Sequence, residues 1–152
     1  QLDLRVNLSG RTIYIGDTFI NMVPVQFMIY TALLRQKIAH CIHPERRHCL
    51  DCTDCFRMVG ELAKKEAREE MAQDYKKIYH GNASKAEEFL QKWNKALSPG
   101  DIVRQNISKI NRSLKEQLQD TTLLPYYTIT SIRKYGGTRY GLRVEKKKIW
   151  VE

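Results

Sequence analysis

The alternation of apolar and polar positions predicts that the chain opens with strands. Residues 2–8 alternate as a half-buried strand does, and residues 12–15 repeat the pattern after a Ser9-Gly10 turn. A short third strand is expected within residues 19–23. Together these segments predict a small N-terminal antiparallel sheet.

Helical spacing of apolar residues then predicts three helices. The first covers residues 24–39, the second covers residues 56–79, and a polar loop at 40–55 joins them. The third begins at Ser84, where Glu87, three residues later, completes a capping box.

The fourth predicted helix, over residues 101–119, has the clearest pattern. Its apolar residues recur every three or four positions and define one buried stripe: Val103, Ile107, Ile110, Leu114 and Leu118. The other side carries four cations beside Ser108: Arg104, Lys109, Arg112 and Lys115. The helix therefore combines a core-facing side with a basic side.

A basic β-hairpin follows this helix. Residues 126–132 alternate as a strand, residues 133–138 form a turn around two glycines, and residues 139–144 form the return strand. The hairpin carries three cations: Arg133, Lys134 and Arg139.

The charge of the chain points to an anionic partner. The formal net charge is +9, and residues 99–152 hold 11 Lys/Arg against 5 Asp/Glu, whereas residues 41–98 hold 11 against 10. Nucleic acid is the common partner of such a basic surface, and a solvated surface without a partner is the alternative.

The basic helix and hairpin suggest how duplex DNA would be bound. A helix with one side on a core and Arg, Lys and Ser on the other can enter the major groove. We expect its cations Arg104, Lys109, Arg112 and Lys115 to contact the groove or its phosphates. Arg133, Lys134 and Arg139 would contact the backbone, which contributes affinity but little sequence information.

The order of these elements resembles the effector domain of OmpR-type response regulators. The likeness lies in the opening strands, in VPVQFMIYTALL as the first helix, and in NISKINRSLKEQL with YYTITSIRKYGGTRYGLRV as recognition helix and wing. It covers residues 1–39 and 101–144. It implies a mainly helical α+β fold, a winged helix-turn-helix with an N-terminal antiparallel sheet and a C-terminal β-hairpin wing.

The chain departs from the OmpR-type pattern at residues 40–98, where a short second helix would be expected. We therefore expect one winged-helix-like domain over residues 1–152, with a helical, Cys-bearing insertion. The insertion could cover the DNA-binding face or support a homodimer. The alternative function is accordingly a dimerisation module whose interface buries the polar side of the 101–119 helix.

The C-terminal pattern is closer still to a family of CRISPR-associated proteins. The INRSLKEQL helix, the TRYGLRV strand and the CTDCF stretch at 52–56 carry this resemblance. It implies a fragment of a longer antiviral-defence protein, whose CARF-type, Rossmann-like sensor domain would precede this chain and bind a cyclic oligoadenylate. Any nuclease chemistry would belong to that sensor domain.

Four cysteines lie close together in the polar loop. Their spacing is Cys41-x7-Cys49-x2-Cys52-x2-Cys55, with His40, His43 and His48 nearby. Four soft ligands suit tetrahedral zinc, which we favour over an iron–sulfur cluster; free thiols or disulfides are the alternative. A metal- or redox-sensing transcriptional regulator is therefore a third functional hypothesis. The nearby carboxylates Glu45, Asp51 and Asp54 are expected to be solvated loop charges.

Several further features limit the range of functions. Tyr126, Tyr127, Tyr135 and Tyr140 lie among basic residues, and strand alternation leaves Tyr135 as the exposed one. Trp93 and Trp150 are expected in the core. The chain has no phosphate-binding glycine loop, nucleophile elbow or HExxH motif, so we expect no enzymatic activity. With no apolar run of bilayer length and no signal peptide, we expect a cytoplasmic protein without a membrane partner.

Overall fold

The computed structural model describes residues 1–44, 49, 52–95 and 99–152, and it has an α+β architecture in which helices predominate. The strands are β1 (Leu4–Asn7), β2 (Thr12–Ile15), β3 (Thr18–Ile20), β4 (Arg57–Met58), β5 (Thr130–Lys134), β6 (Gly137–Gly141) and β7 (Ile149–Val151). The helices are α1 (Pro24–His40), α2 (Lys65–Ile78), α3 (Ala83–Lys95), α4 (Pro99–Gln117) and α5 (Leu124–Tyr127).

The N-terminal strands form a four-stranded sheet with the order β3-β2-β1-β7. The antiparallel pairing of β1 with β2 and of β2 with β3 confirms the predicted sheet. The sheet as a whole is mixed, because β7 pairs in parallel with β1. Leu8 N–H donates to the Glu152 carbonyl (2.9 Å), and Glu152 N–H donates to the Val6 carbonyl (2.8 Å). The last residues of the chain are therefore held against the first strand.

Helix α1 is the centre of the core. Residues 27–34 are all buried, so this segment has no solvent-facing side. It packs against α2 and α4, and the Tyr30 hydroxyl donates to the Tyr127 carbonyl (2.6 Å). Full burial raises the pKa of Tyr30. Each large apolar side chain buried here contributes about 1.5–3 kcal/mol to stability.

An ion pair joins α1 to α2. The Arg35 guanidinium bonds the carboxylate of Asp74, whose side chain is 2% exposed. Glu70 lies 3.7 Å from the same guanidinium nitrogen. Since a buried carboxylate without its partner is costly, this pair fixes how the two helices face each other.

The second predicted helix begins later than expected. Arg57 and Met58 form β4 and pair with Tyr140 and Arg139 of β6, so a second sheet has the order β4-β6-β5. A 3-10 turn over Val59–Ala63 follows before α2 begins at Lys65. The expectation of continuous helix over 56–79 was wrong here because long-range pairing with β6 extends the backbone.

The hairpin is also shifted relative to its prediction. Residues 124–127 form the short helix α5 with Pro125 in its first turn, and the strand begins only at Thr130. The return strand is Gly137–Gly141, where 139–144 was predicted. Tyr127 is buried and its hydroxyl bonds the Leu2 main chain, so tertiary packing sets where the strand starts.

Helix α3 packs on α2 through its aromatic side. Phe89 stacks on Tyr75 and contacts the buried Trp93, which confirms Trp93 as a core residue. The predicted capping box is wrong: Ser84 lies inside the helix, and its N–H donates to the Asn82 side chain (3.0 Å). Within the described ranges, no helix has both the length and the hydropathy needed to cross a membrane.

Candidate nucleic-acid interface and candidate metal centre

Helix α4 has the two sides that its sequence predicts. The five residues of its apolar stripe are buried: Val103, Ile107, Ile110, Leu114 and Leu118. The four predicted contact residues are solvent-exposed: Arg104, Lys109, Arg112 and Lys115. The helix begins at Pro99 and ends at Gln117, two residues earlier at each end than predicted.

The four cations of α4 are not equivalent. The Arg104 guanidinium lies 2.7 Å from the Asp101 carboxylate one turn earlier, so its charge is partly neutralised. No ion pair in the described part of the chain engages Lys109, Arg112 or Lys115. Glu116 also lies on the exposed side. The basic character of this side therefore depends mainly on Lys109, Arg112 and Lys115.

The described residues of the insertion leave this side of the helix open. Its two described helices pack elsewhere, α2 on α1 and α3 on α2, and only its 3-10 turn is among the described elements that pack closely on α4. Because the four α4 cations are exposed to solvent, the described residues of the insertion do not cover the candidate interface. Residues 45–48, 50–51 and 96–98, which include Glu45, His48 and Asp51, lie outside the described residues.

A side chain that sequence reasoning missed connects α4 to the hairpin. The Asn111 amide donates to the Ile129 carbonyl (2.9 Å), and its oxygen accepts from Ile129 N–H (2.8 Å). These two bonds pin the segment that enters β5 onto the helix. The only sequence signal was a polar residue at the border of the apolar stripe, and such residues are common.

The hairpin turn is tighter than predicted and places one aromatic ring in solvent. Its two central residues are Tyr135 (φ 53°) and Gly136 (φ 75°), so Gly137 belongs to the return strand. Two successive positive φ angles define the turn type that suits hairpin twist and prefers Asn-Gly. Tyr135 is 88% exposed, which confirms its prediction, and the Lys134 ammonium lies 5.5 Å from its ring centroid.

The hairpin cations flank this turn. Arg133 and Lys134 are exposed, whereas Arg139 is half-buried and pairs with Met58 across the sheet. The Arg139 Nε atom is buried without a hydrogen-bond partner among the described residues. Of the three hairpin cations, Arg133 and Lys134 are therefore the two that solvent exposure leaves accessible to an external phosphate.

The four cysteines lie between α1 and β4, and no disulfide joins them. Cys41 follows the end of α1, and Cys52 N–H donates to the Cys49 carbonyl (3.4 Å). Burial raises the pKa of Cys55, and the ammonium of the buried Lys37 beside it opposes this rise. Among the described residues, the four cysteine sulfurs do not form a group of three or more within 4.8 Å of one another.

The ligand atoms that lie closest together belong to a mixed group. One ligand atom each from His43, Cys52 and Asp54 lies within 4.8 Å of the other two, and His43 Nε2 is 2.9 Å from Asp54 Oδ2. Asp54 is exposed, as expected of a solvated loop charge, and its carboxylate also contacts His43. Cys52 is the member of the predicted cysteine set that this group contains.

The three residues of this group are of types that can bind a metal ion. Nitrogen, sulfur and carboxylate oxygen are all zinc ligands, at about 2.0–2.3 Å from the ion. Ligand atoms around a tetrahedral ion are about 3.5 Å apart. The longest separation in the group, up to 4.8 Å, would therefore have to shorten by about 1 Å, and the 2.9 Å contact between His43 and Asp54 would have to lengthen.

Comparison with known proteins finds no matching family model, no similar curated protein and no similar solved structure.

Proposed function

We propose that this chain is a winged-helix domain that binds duplex DNA through α4 and the β5–β6 hairpin. The order of elements supports this: α1, the short strand β4, further helices, the basic helix α4, and a hairpin whose second strand pairs with β4. In this arrangement α4 would enter the major groove and the hairpin would lie along an adjacent backbone.

The observation that carries the proposal is the placement of exposed cations that form no ion pair within the described ranges. Lys109, Arg112 and Lys115 project from the open side of α4, and Arg133 and Lys134 project from the hairpin that Asn111 ties to α4. The hairpin residues 130–141 include three cations and no carboxylate. Two basic surfaces that are held in a fixed geometry match the major groove of duplex DNA and its flanking phosphates better than they match a small ligand.

The exposed tyrosine extends this surface. Tyr135 stands at the hairpin tip in a backbone conformation that L-residues rarely adopt, between Lys134 and two glycines. In the proposed complex its ring would pack against a sugar or base edge beside the phosphates that Arg133 and Lys134 contact. Backbone strain retained at an exposed position is typical of a functional site.

The test is a fluorescence-anisotropy titration of a labelled duplex at low salt. We expect Arg112→Ala with Lys115→Ala to weaken binding by at least tenfold, because two phosphate or base contacts are lost. The matched control removes the same charge from α3, through Lys92→Ala with Lys95→Ala, and should leave the affinity within twofold. Equal losses in both double variants would reduce the effect to net charge and contradict a specific α4 interface.

We propose further that the domain serves a CRISPR-associated regulator, in which a sensor domain for a cyclic oligoadenylate would control DNA binding. The support is the resemblance carried by INRSLKEQL, TRYGLRV and CTDCF. The test is the sequence preceding Gln1 in the source gene: a Rossmann-like sensor would support the proposal, and a phosphoacceptor receiver domain would replace it with two-component signalling.

A second candidate function is metal sensing at the cysteine loop, favoured by the grouping of His43, Cys52 and Asp54. Zinc content after anaerobic purification tests it, since absence of stoichiometric zinc would remove the proposal. The ligand set is resolved by variants. Loss of zinc in His43→Ala would support the group of His43, Cys52 and Asp54. Loss of zinc in Cys41→Ser and in Cys55→Ser, with zinc retained in His43→Ala, would instead support the set of four cysteines.

A further inference from the structure

The outward face of the N-terminal sheet carries one row of large side chains that crosses all four strands. The strand register places Phe19 of β3 beside Tyr14 of β2, Tyr14 beside Arg5 of β1, and Arg5 beside Trp150 of β7. Adjacent strands are about 4.8 Å apart, so the row is about 14 Å long.

The row is ordered and open to solvent. The rings of Tyr14 and Phe19 are 5.6 Å apart, and the Arg5 guanidinium lies 5.6 Å from the Tyr14 centroid while donating to the Gly16 carbonyl (3.0 Å). Phe19 is 47% exposed and Trp150 is 54% exposed. Trp150 was predicted in the core, and this was wrong because its neighbour Ile149 takes the inward position in β7.

The composition of this face favours a protein partner over a polyanion. Trp, Tyr, Phe and Arg are the residues that anchor protein interfaces. The charges nearby are balanced, because Glu152 lines the groove beside Arg5 and Asp3 lies 3.9 Å from Lys148. This balance contrasts with the excess of cations on the hairpin.

We infer that this face binds a second copy of the chain, in a two-fold dimer that stacks sheet on sheet. The two-fold axis would run parallel to the strands and lie between β1 and β2. The second copy would then present the four residues of the row in the opposite order. Phe19 then faces Trp150, and Tyr14 faces Arg5, which gives two aromatic pairs and two cation–π pairs. Asn7 and Thr12, paired in the next row of the same strands, would face each other across the interface.

The alternative axis is unfavourable. With the axis perpendicular to the strands, each Arg5 would face Arg5 of the other copy, and like charges would meet at the centre. The row is thus self-complementary in one arrangement, as a two-fold interface requires. The two sheets would lie about 10 Å apart, the ordinary spacing of packed sheets.

The size of the face sets the expected affinity. Four strands of three to four residues present less area than the roughly 800 Å² per partner of a standard stable interface. We therefore expect a dimer that dissociates in the micromolar range. This inference is independent of the proposed DNA-binding function, because neither α4 nor the hairpin takes part.

Sedimentation equilibrium over a concentration series tests the dimer, and a residue exchange tests its geometry. We expect Tyr14→Arg to be monomeric, because it places two arginines opposite each other. The double variant Tyr14→Arg with Arg5→Tyr should recover dimerisation, because the exchanged residues again face one another. Tyr135→Ala, which removes an exposed aromatic elsewhere, should leave dimerisation unchanged.

Tryptophan emission gives a second readout. Trp93 is 1% exposed and Trp150 is 54% exposed, so a shift to shorter wavelength with rising concentration would report burial of Trp150. A chain that stays monomeric at millimolar concentration would overturn the inference, as would a double variant that fails to recover while remaining folded by circular dichroism. Quenching of Trp150 in a monomer by a single-stranded oligonucleotide would overturn it in favour of a base-stacking surface.

Discussion

Replacing Tyr135 with Asn is expected to stabilise the protein while weakening its binding to DNA. Tyr135 has φ 53° in a turn whose next residue, Gly136, has φ 75°. The left-handed conformation costs an ordinary L-residue about 1–2 kcal/mol, and Asn tolerates it better. The exposed contact between Lys134 and the ring, worth about 0.5–1 kcal/mol, is lost in the variant.

The difference between these effects predicts a net gain of about 0.5–1 kcal/mol in the free energy of unfolding. For a domain of this size the gain corresponds to a rise of about 1–4 °C in Tm. If the ring contacts DNA, the same variant should lose about fivefold in affinity, equivalent to about 1 kcal/mol.

The assay combines thermal unfolding by circular dichroism with the duplex titration. Tyr135→Phe is the matched control, since it keeps the ring and the strain and should change neither quantity. A Tm that falls in Tyr135→Asn would refute the assignment of strain to this turn. A higher Tm with unchanged affinity would uphold the strain and refute the contact of the ring with DNA.

Three further predictions concern packing, positioning and pH. In Gly141→Ala the new Cβ would lie 2.3 Å from the Phe56 ring, so the free energy of unfolding in urea should fall by about 1–3 kcal/mol. Gly60→Ala is the control, because open space surrounds this position. Equal losses of stability in the two variants would contradict the prediction. Asn111→Ala removes both hydrogen bonds to the segment that enters β5. The free energy of unfolding in urea should therefore fall by about 2 kcal/mol. An unchanged urea midpoint would show that these bonds do not stabilise the protein. Burial raises the pKa of Tyr75 from 10.0 to about 12, so the unfolded chain ionises first above pH 10. The contribution of Tyr75 to stability should therefore be present below pH 10 and be lost as pH rises towards 12. A urea midpoint that stays flat across this window, or a fall in Tyr75→Phe that is no smaller than in the parent protein, would contradict this.

The spacing of apolar and polar residues correctly predicted those elements that bury one face against the core. The alternation in β1 and β2 and the spacing of Val103, Ile107 and Ile110 were sufficient, because one face of each element is buried against a single core. The predicted exposure of Tyr135 followed from the turn in the same way.

Elements that depend on distant partners could not be predicted. The two-residue strand at Arg57 exists because β6 pairs with it from more than eighty positions away. Trp150 was expected in the core because of its hydrophobicity, yet the parallel pairing of β7 with β1 decides which side of the strand faces inward. Hydrophobicity of a single residue does not contain that information.

The candidate metal centre shows the same limit. Cysteine spacing indicated soft ligands near one another, and the tight C-x2-C-x2-C run predicted a cluster of sulfurs. The approach of His43 to Asp54 depends on how the loop packs between α1 and β4, where the buried Lys37 reaches the Leu142 carbonyl (3.2 Å). Loop conformation of this kind has no periodic signal in the sequence.

The salt dependence of duplex binding tests the central proposal most directly. Five exposed cations, which form no ion pair with any described residue, make up the proposed surface: Lys109, Arg112, Lys115, Arg133 and Lys134. Each phosphate contact contributes about 0.9 to the slope of log affinity against log salt, so we expect a slope of about −4 to −5. The variant Arg112→Ala with Lys115→Ala should reduce its magnitude by about two. A slope near zero, or one that this variant leaves unchanged, would contradict DNA binding through α4 and the hairpin.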